Sequence, residues 1–420
     1  MLTKEAFMKT YSRYTIIFFL NWLLYTNIPF LGQFRQYFIF SELLLVIPFI
    51  FNIKNIRNTL DLNIPFLSFL GISLLSSIIN NSILNRYLWM TILLVIAIYS
   101  FISQSDRNEI KKLIDGIYIS LNIILLISFI GITLILLTDI ENSSNETISY
   151  SMGNFIQEGR FYGVLNNCNA LGPIAGIATY LAILKIRDNK ESSTKIILHS
   201  TIMLIDLFIL IGSKSLSSEA AFACGFLVLI LSYKNKNRKT FFIIFLAIMM
   251  LGIFVIIDNI DLLSIILQKD LRTATSRTRI WENALILIKA KPITGYGTFE
   301  NYLDMAEQLS IFMHKAGVHN QYLEIALQYG VPALLLFILC LITTIYKFLK
   351  CYFHGIDLKD TYIAFPNMVL VFGIVHGLTE GQILFSANPN MIIFTTSLLL
   401  INWNLKHIER NDIQVKSTNI

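Results

Sequence analysis

A chain of 420 residues that is 55% hydrophobic and only 14% charged, with a mean hydropathy of +0.63, cannot cover its surface with polar groups in water. Lipid is therefore its expected solvent, and separate soluble domains are excluded. A net charge of +6 is too low to suggest nucleic-acid binding. The four cysteines, Cys168, Cys224, Cys340 and Cys351, show no CxxC pair and no ligand spacing, which argues against a disulfide framework or a zinc site.

Residues 1–13 are polar and basic and are expected to be cytoplasmic. No short apolar region with a small-residue cleavage site follows them, so no cleaved signal peptide is expected. Apolar runs of about 17 to 23 residues, each long enough to cross ~30 Å of hydrocarbon as a helix, then recur. They lie near 14–31, 37–53, 63–82, 87–103, 117–138, 163–185, 194–212, 216–233, 240–257, 331–349, 362–379 and 389–404. The expected fold is an all-α polytopic membrane protein with about 12 transmembrane helices. Spans 1–9 occupy 14–257, spans 10–12 occupy 331–404, and a polar tail expected to be disordered occupies 405–420.

Loop charges fix the expected orientation. Alternate loops carry Lys54 and Arg57; Arg107, Lys111 and Lys112; Lys185, Arg187, Lys190 and Lys195; Lys234, Lys236, Arg238 and Lys239; and Lys347 and Lys350, with Lys406 and Arg410 in the tail. This positive-inside pattern puts both termini in the cytoplasm, and an odd number of spans would break the alternation.

Two loops on the other side stand out. One, near 139–161, is polar and precedes Arg160. The other, 258–330, lies between spans 9 and 10. It is too long for a mere connection, and such loops are usually functional. Inside it, Ile280, Trp281, Ala284, Leu285 and Ile288 share one face of a helix predicted over Arg279–Lys289, which Pro292 and Gly295–Gly297 end. A second helix is predicted near Glu300–Leu309 and a third from His319 to about Gly330. The loop reads as a helical cap on the extracytoplasmic membrane surface.

Cations on that side run against the positive-inside rule. They are Arg35, Arg86, Arg160 and Lys214, joined by Arg272, Arg277 and Arg279 from the large loop. Guanidinium groups bind phosphate oxygens bidentately and stay charged in a low-dielectric site, which suits an anionic lipid headgroup. Each would equally serve as a solvated loop charge or a snorkelling anchor. His319 stands just before a span, where an imidazole could accept a proton from a sugar hydroxyl; helix capping is the plainer role, and His314 is a rival. His376 and Glu380 sit four residues apart on one helical face near the end of the eleventh span, either facing a cavity or forming a polar packing pair. Glu219 raises the same question. Asn166, Asn167 and Asn169 could bind sugar hydroxyls or satisfy one another between helices.

Three short stretches occur in a telling order. Arg160-Phe-Tyr-Gly-Val-Leu-Asn-Asn-Cys-Asn-Ala-Leu-Gly172, then Ser276-Arg277-Thr-Arg-Ile-Trp281 with Lys291-Pro-Ile-Thr-Gly-Tyr-Gly297, then His319-Asn320-Gln-Tyr-Leu with Tyr-Gly330 resemble the motifs of the O-antigen ligase and polymerase superfamily (Wzy-type polymerases and lipid A-core ligases). The likeness covers roughly 150 to 400; the first 150 residues match only as hydrophobic spans. Where that family often has an S-x-S-R sequence, this chain has Gly212-Ser-Lys-Ser-Leu-Ser-Ser-Glu219, and Lys214 lacks the bidentate fork of arginine.

The resemblance implies transfer of an oligosaccharide from undecaprenyl diphosphate to an acceptor hydroxyl at the outer face of the bacterial cytoplasmic membrane. It implies Arg160 and Arg277 as catalytic cations, with His319 as proton acceptor. Arg279, Lys214, Arg86, Arg35, Asn169, Asn320, His376 and Glu380 are the expected diphosphate- or substrate-binding residues. Direct displacement would invert the anomeric carbon. No DxD-like metal motif falls in the loop, so cationic side chains are expected to take the usual metal-ion role, with no metal site and no cofactor. Membrane lipid, and the flippase and chain-length regulator of the same pathway, are the implied partners, with no nucleic acid. The chain is rich in Ile, Asn and Lys, as in AT-rich genomes of many Gram-positive bacteria, which lack lipid A. That favours a capsular or exopolysaccharide polymerase over a ligase moving chains to lipid A-core or protein. A transporter of lipid-linked sugars is the rival class.

Overall fold

The computed structural model describes residues 4–28, 31, 64–82, 85–102, 105–138, 155–157, 159–232, 277–314, 317–353, 358–381, 384–385 and 388–417. The predicted spans near 37–53 and 240–257, with Arg35 and Arg272, lie outside these residues. Thirteen α-helices occur among the described residues. They are α1 (Lys4–Thr26), α2 (Ile64–Ile79), α3 (Arg86–Ile102), α4 (Arg107–Thr138), α5 (Cys168–Asp188), α6 (Ser193–Gly212), α7 (Leu216–Ser232), α8 (Arg277–Ala290), α9 (Phe299–Gln308), α10 (Gln321–Tyr329), α11 (Val331–Phe353), α12 (Thr361–His376) and α13 (Pro389–Ser417). Strands are confined, among these residues, to the two-residue pair β1 (Ile156–Gln157) and β2 (Arg160–Phe161).

Within α4, α5, α6 and α11 lie segments long and apolar enough to cross a membrane, and α2, α3, α7 and α12 carry shorter apolar stretches. The pattern of exposure tells which helices face lipid. On α4, Ile119, Ile123, Ile127, Ile130 and Leu134 form an exposed stripe at helical spacing. On α11, Leu335, Leu339, Ile342 and Tyr346 do the same. By contrast α5 and α12 are buried on nearly every face and form the centre of the bundle. Around them α6 packs on α5, α7 on α12, and α13 on α12. In lipid every backbone group must be satisfied within the chain, which is why the bundle is helical throughout these spans.

Two expectations need correcting. The tail after Leu405 was expected to be disordered, yet α13 continues to Ser417. The third helix of the large loop was expected to begin at His319. Instead His319 takes a left-handed conformation (φ +51°), and α10 begins at Gln321 behind the cap Asn320, whose Oδ1 accepts the Tyr322 and Leu323 N–H groups, both at 3.0 Å.

Helices α8, α9 and α10 enclose a second, smaller core that includes Ile280, Ala284, Leu287, Tyr302, Val318 and Leu327. Backbone hydrogen bonds tie the turn at 292–297 to α10 within the cap and to the start of α11. Tyr296 N–H donates to the Leu327 carbonyl at 2.8 Å, Gly297 N–H to that of Gln328 at 2.6 Å, and Val331 N–H to that of Pro292 at 2.7 Å. Gly295 (φ +56°) permits this approach, since a Cβ there would lie 2.5 Å from the Leu327 oxygen; at Gly330 (φ +87°) one would collide with the Ile293 carbonyl. Polar side chains at the end of α2 and just before α3 complete the attachment. Ser76 Oγ donates to the Thr294 carbonyl, Asn80 Nδ2 donates to it at 3.2 Å, and Asn85 Nδ2 donates to the Gly297 carbonyl at 3.3 Å and the Tyr329 hydroxyl at 3.1 Å.

Candidate active site

Five pieces of chain converge at the cap end of the bundle. The first is the turn before α5. Asn166 is left-handed (φ +50°) and closes the short 3-10 turn Gly163–Leu165. Asn167 is extended, and its Oδ1 caps α5 by accepting the Asn169 and Ala170 N–H groups at 2.9 and 3.2 Å. Asn169 thus points its amide away from the helix end. Its Nδ2 donates to Glu380 Oε1 at 3.2 Å, and its Oδ1 accepts Arg160 Nη2 at 3.3 Å.

The second piece is the turn between α6 and α7, which holds Arg160 through main-chain carbonyls. Arg160 Nε donates to the Ser213 carbonyl at 3.2 Å and Nη2 to the Lys214 carbonyl at 3.3 Å. Lys214 is itself left-handed (φ +48°). Its ammonium reaches Gly159, lying 3.5 Å from where a Cβ on that glycine would stand. Arg160 has five N–H donors, so these contacts orient the guanidinium and, among the described residues, leave donors over.

The third and fourth pieces, the start of α8 and the turn before α10, meet on the fifth, the turn after α12 that carries Glu380. Arg277, the first residue of α8, donates Nη2 to Glu380 Oε1 at 2.9 Å and Nη1 to the Thr379 carbonyl at 2.8 Å. His319 Nδ1 lies 3.1 Å from Glu380 Oε2. Glu380 is 2% exposed, and burial alone would raise its pKa. The His319 hydrogen bond, the Arg277 charge and the fields of His319 and His376 overcome burial and hold it below the usual 4.5. An ionised carboxylate only accepts, so Nδ1 of His319 carries the proton. In the neutral imidazole Nε2 then carries the lone pair, which is the form a proton acceptor requires.

The remaining candidates are dispersed. Asn320 is committed to capping α10, and its Nδ2 donates to the Leu378 carbonyl at 2.9 Å, tying that cap to the turn that presents Glu380. His376 is buried at the end of α12, stacked on Phe372, and its Nε2 makes no hydrogen bond to any described residue. Arg279 is drawn aside, its guanidinium 5.2 Å over the Phe312 ring. The His314 ring centroid is 5.5 Å from that of His319. Arg86 is the first residue of α3, and Glu219 lies in the first turn of α7. Among the described residues, no cluster of three or more His, Cys, Asp or Glu side chains is arranged to hold a metal ion.

Sequence reasoning did not single out Trp281 Nε1, which donates to the Val318 carbonyl at 2.9 Å, or the carbonyls of Ser213, Lys214, Leu378 and Thr379. Main-chain acceptors carry no signal in a sequence. In the sequence Trp281 stood out only as part of an apolar helix face and as the end of the Ser276–Trp281 stretch.

Residues 201–338 match the family model described as O-Antigen ligase. The match supports the O-antigen ligase/polymerase superfamily for this chain. An uncharacterized protein of Haemophilus influenzae is 27% identical over 149 residues, which covers 34% of this chain and 37% of that protein. No solved structure matches.

Proposed function

We propose that this chain, as a relative of the O-antigen ligases, is a polysaccharide polymerase that joins polyprenyl-diphosphate-linked repeat units at the outer face of the bacterial cytoplasmic membrane. The observation that carries the reading is the Glu380 cluster, in which one buried carboxylate binds His319, Arg277 and Asn169, with Arg160 hydrogen-bonded to Asn169. A base and two guanidinium groups are thereby brought to one end of a set of apolar helices.

In this reading the acceptor hydroxyl gives its proton to His319 Nε2 as its oxygen bonds to the donor's anomeric carbon. The bond from that carbon to the diphosphate oxygen breaks on the opposite side, so the configuration inverts. The departing polyprenyl diphosphate gains negative charge, which Arg160 and Arg277 are aimed to meet. Both keep N–H donors that no described residue takes up, and their existing partners hold them in place, so little reorganisation is needed when the charge develops. Lys214 adds a nearby positive charge. With the cap on the outer side, both termini lie in the cytoplasm, as the loop charges require. A flippase to deliver the repeat units and a chain-length regulator are the partners such a reaction calls for.

A ligase is the second reading, favoured by the description of the matching family. The two are separated by the lipid-linked and surface polysaccharide of a native host carrying His319→Ala at normal expression. Accumulated single repeat units with loss of long polymer support the polymerase. Long polymer stranded on its lipid carrier supports the ligase. An unchanged profile removes His319 from the reaction.

A further inference from the structure

Glu324 takes no part in the chemistry above, yet it lies five residues beyond His319 and is sealed inside the cap. The Tyr302 hydroxyl approaches both of its oxygens, at 2.9 and 3.2 Å, and Gln328 Nε2 donates to Oε1 at 2.7 Å. The Val318 N–H points at Oε2 from 3.5 Å. A Cβ on Gly317 would lie 3.4 Å from Oε2, and one on Gly381 3.8 Å from it. The carboxyl group is therefore wedged between the turn that presents His319 and the turn that presents Glu380.

That first turn is strained. Gly317 (φ +95°) and His319 (φ +51°) are both left-handed, and a non-glycine residue keeps such a conformation only where its surroundings over-determine it. Between them, buried Val318 is fixed at its carbonyl by Trp281 and at its N–H by Glu324. Tyr302 belongs to α9, so the second cap helix is linked through Glu324 to the turn carrying the imidazole. Burial raises the Glu324 pKa; the Gln328, Tyr302 and Val318 hydrogen bonds and the positive field of His319 oppose that rise.

We propose that Glu324, gripped by Tyr302 and Gln328, is a positioning residue for His319: it fixes the left-handed turn from which the imidazole reaches Glu380. The proposal rests on His319 being the proton acceptor. The other ionisable groups around that imidazole are Glu380 from the turn after α12, Arg277 from α8, and His314 from the preceding loop, with Tyr302 from α9 behind Glu324.

The test uses the full-length protein in liposomes with lipid-linked repeat units, comparing steady-state kinetics and melting temperature for wild type, Glu324→Gln, Glu324→Asp, Tyr302→Phe and His319→Ala. Glu324→Gln should lower kcat about tenfold with KM unchanged, beyond what any fall in its melting temperature accounts for. Tyr302→Phe should lower kcat by less, and Glu324→Asp should recover part of the loss. A wild-type kcat in Glu324→Gln, or one that falls only as its melting temperature falls, overturns the proposal. If His319→Ala stays active, the reading of His319 fails instead; if it is inactive while Glu324→Gln keeps the wild-type kcat, the Glu324 proposal alone fails.

Discussion

Replacing Glu380 by glutamine keeps the shape of the cluster and removes its charge. The carboxylate accepts from Arg277 and Asn169 on Oε1 and from His319 on Oε2. A glutamine can serve only one of these sides. If its oxygen keeps Arg277 and Asn169, its NH2 group faces His319 Nδ1, which must then accept; the imidazole proton moves to Nε2 and the base is lost. If the amide is turned over, NH2 meets the Arg277 guanidinium, donor against donor. Hydrogen bonds to a charged partner contribute about 1.5–3 kcal/mol and neutral ones about 0.5–1.5. Weakening the contacts to His319 and Arg277, together with the tautomer penalty, comes to about 3 kcal/mol, or roughly 10²-fold in kcat. The assay is elongation of lipid-linked repeat units by purified full-length protein in liposomes. Glu380→Gln turnover within about threefold of wild type at saturating substrate would sink the idea that this carboxylate organises the site.

Other expectations follow from the same contacts. Arg160→Lys and Arg277→Lys should each lower turnover by about 10–10² while the protein stays folded, because an ammonium cannot bind two carbonyl-facing positions and still present a fork to a diphosphate; steady-state kinetics decide it. Gly330→Ala should depress the melting temperature and the yield of folded protein, since the new Cβ collides with the Ile293 carbonyl in a backbone that is already left-handed. Glu380 is held below its usual pKa of 4.5, so the stability it contributes is present above that value and lost as pH falls through the folded pKa. Melting curves of wild type should therefore drop on acidification below about pH 4.5, and those of Glu380→Gln should drop less.

Much of the bundle was legible because lipid imposes a length and an apolar composition on each span. The runs predicted near 63–82, 194–212 and 331–349 coincide closely with α2, α6 and α11. What the runs could not show is that α5 and α12 are central while α4 and α11 face lipid, since all four are apolar and only packing distinguishes them. In the site, Asn169, Glu380, Arg277, Arg160 and His319 each stood out as a polar group in an unusual place. Their convergence on one carboxylate did not, because Asn169 and Glu380 are 211 residues apart and no local pattern encodes that contact. Three asparagines looked equivalent in sequence, yet one makes a left-handed turn, one caps a helix and one reaches the cluster. Glu324 was passed over because a glutamate four residues into an amphipathic helix ordinarily faces water.

The attachment of the cap to α2 bears on how far this architecture is modular. Ser76, Asn80 and Asn85 come from the part of the chain that resembles its relatives only as hydrophobic spans, yet they grip the backbone of 294–297. A chimaera that grafts everything from Arg160 onward onto the first spans of a relative would carry every residue of the Glu380 cluster and still present the cap without its moorings. Transplanting these three side chains with it should be the smallest graft that keeps the cap seated.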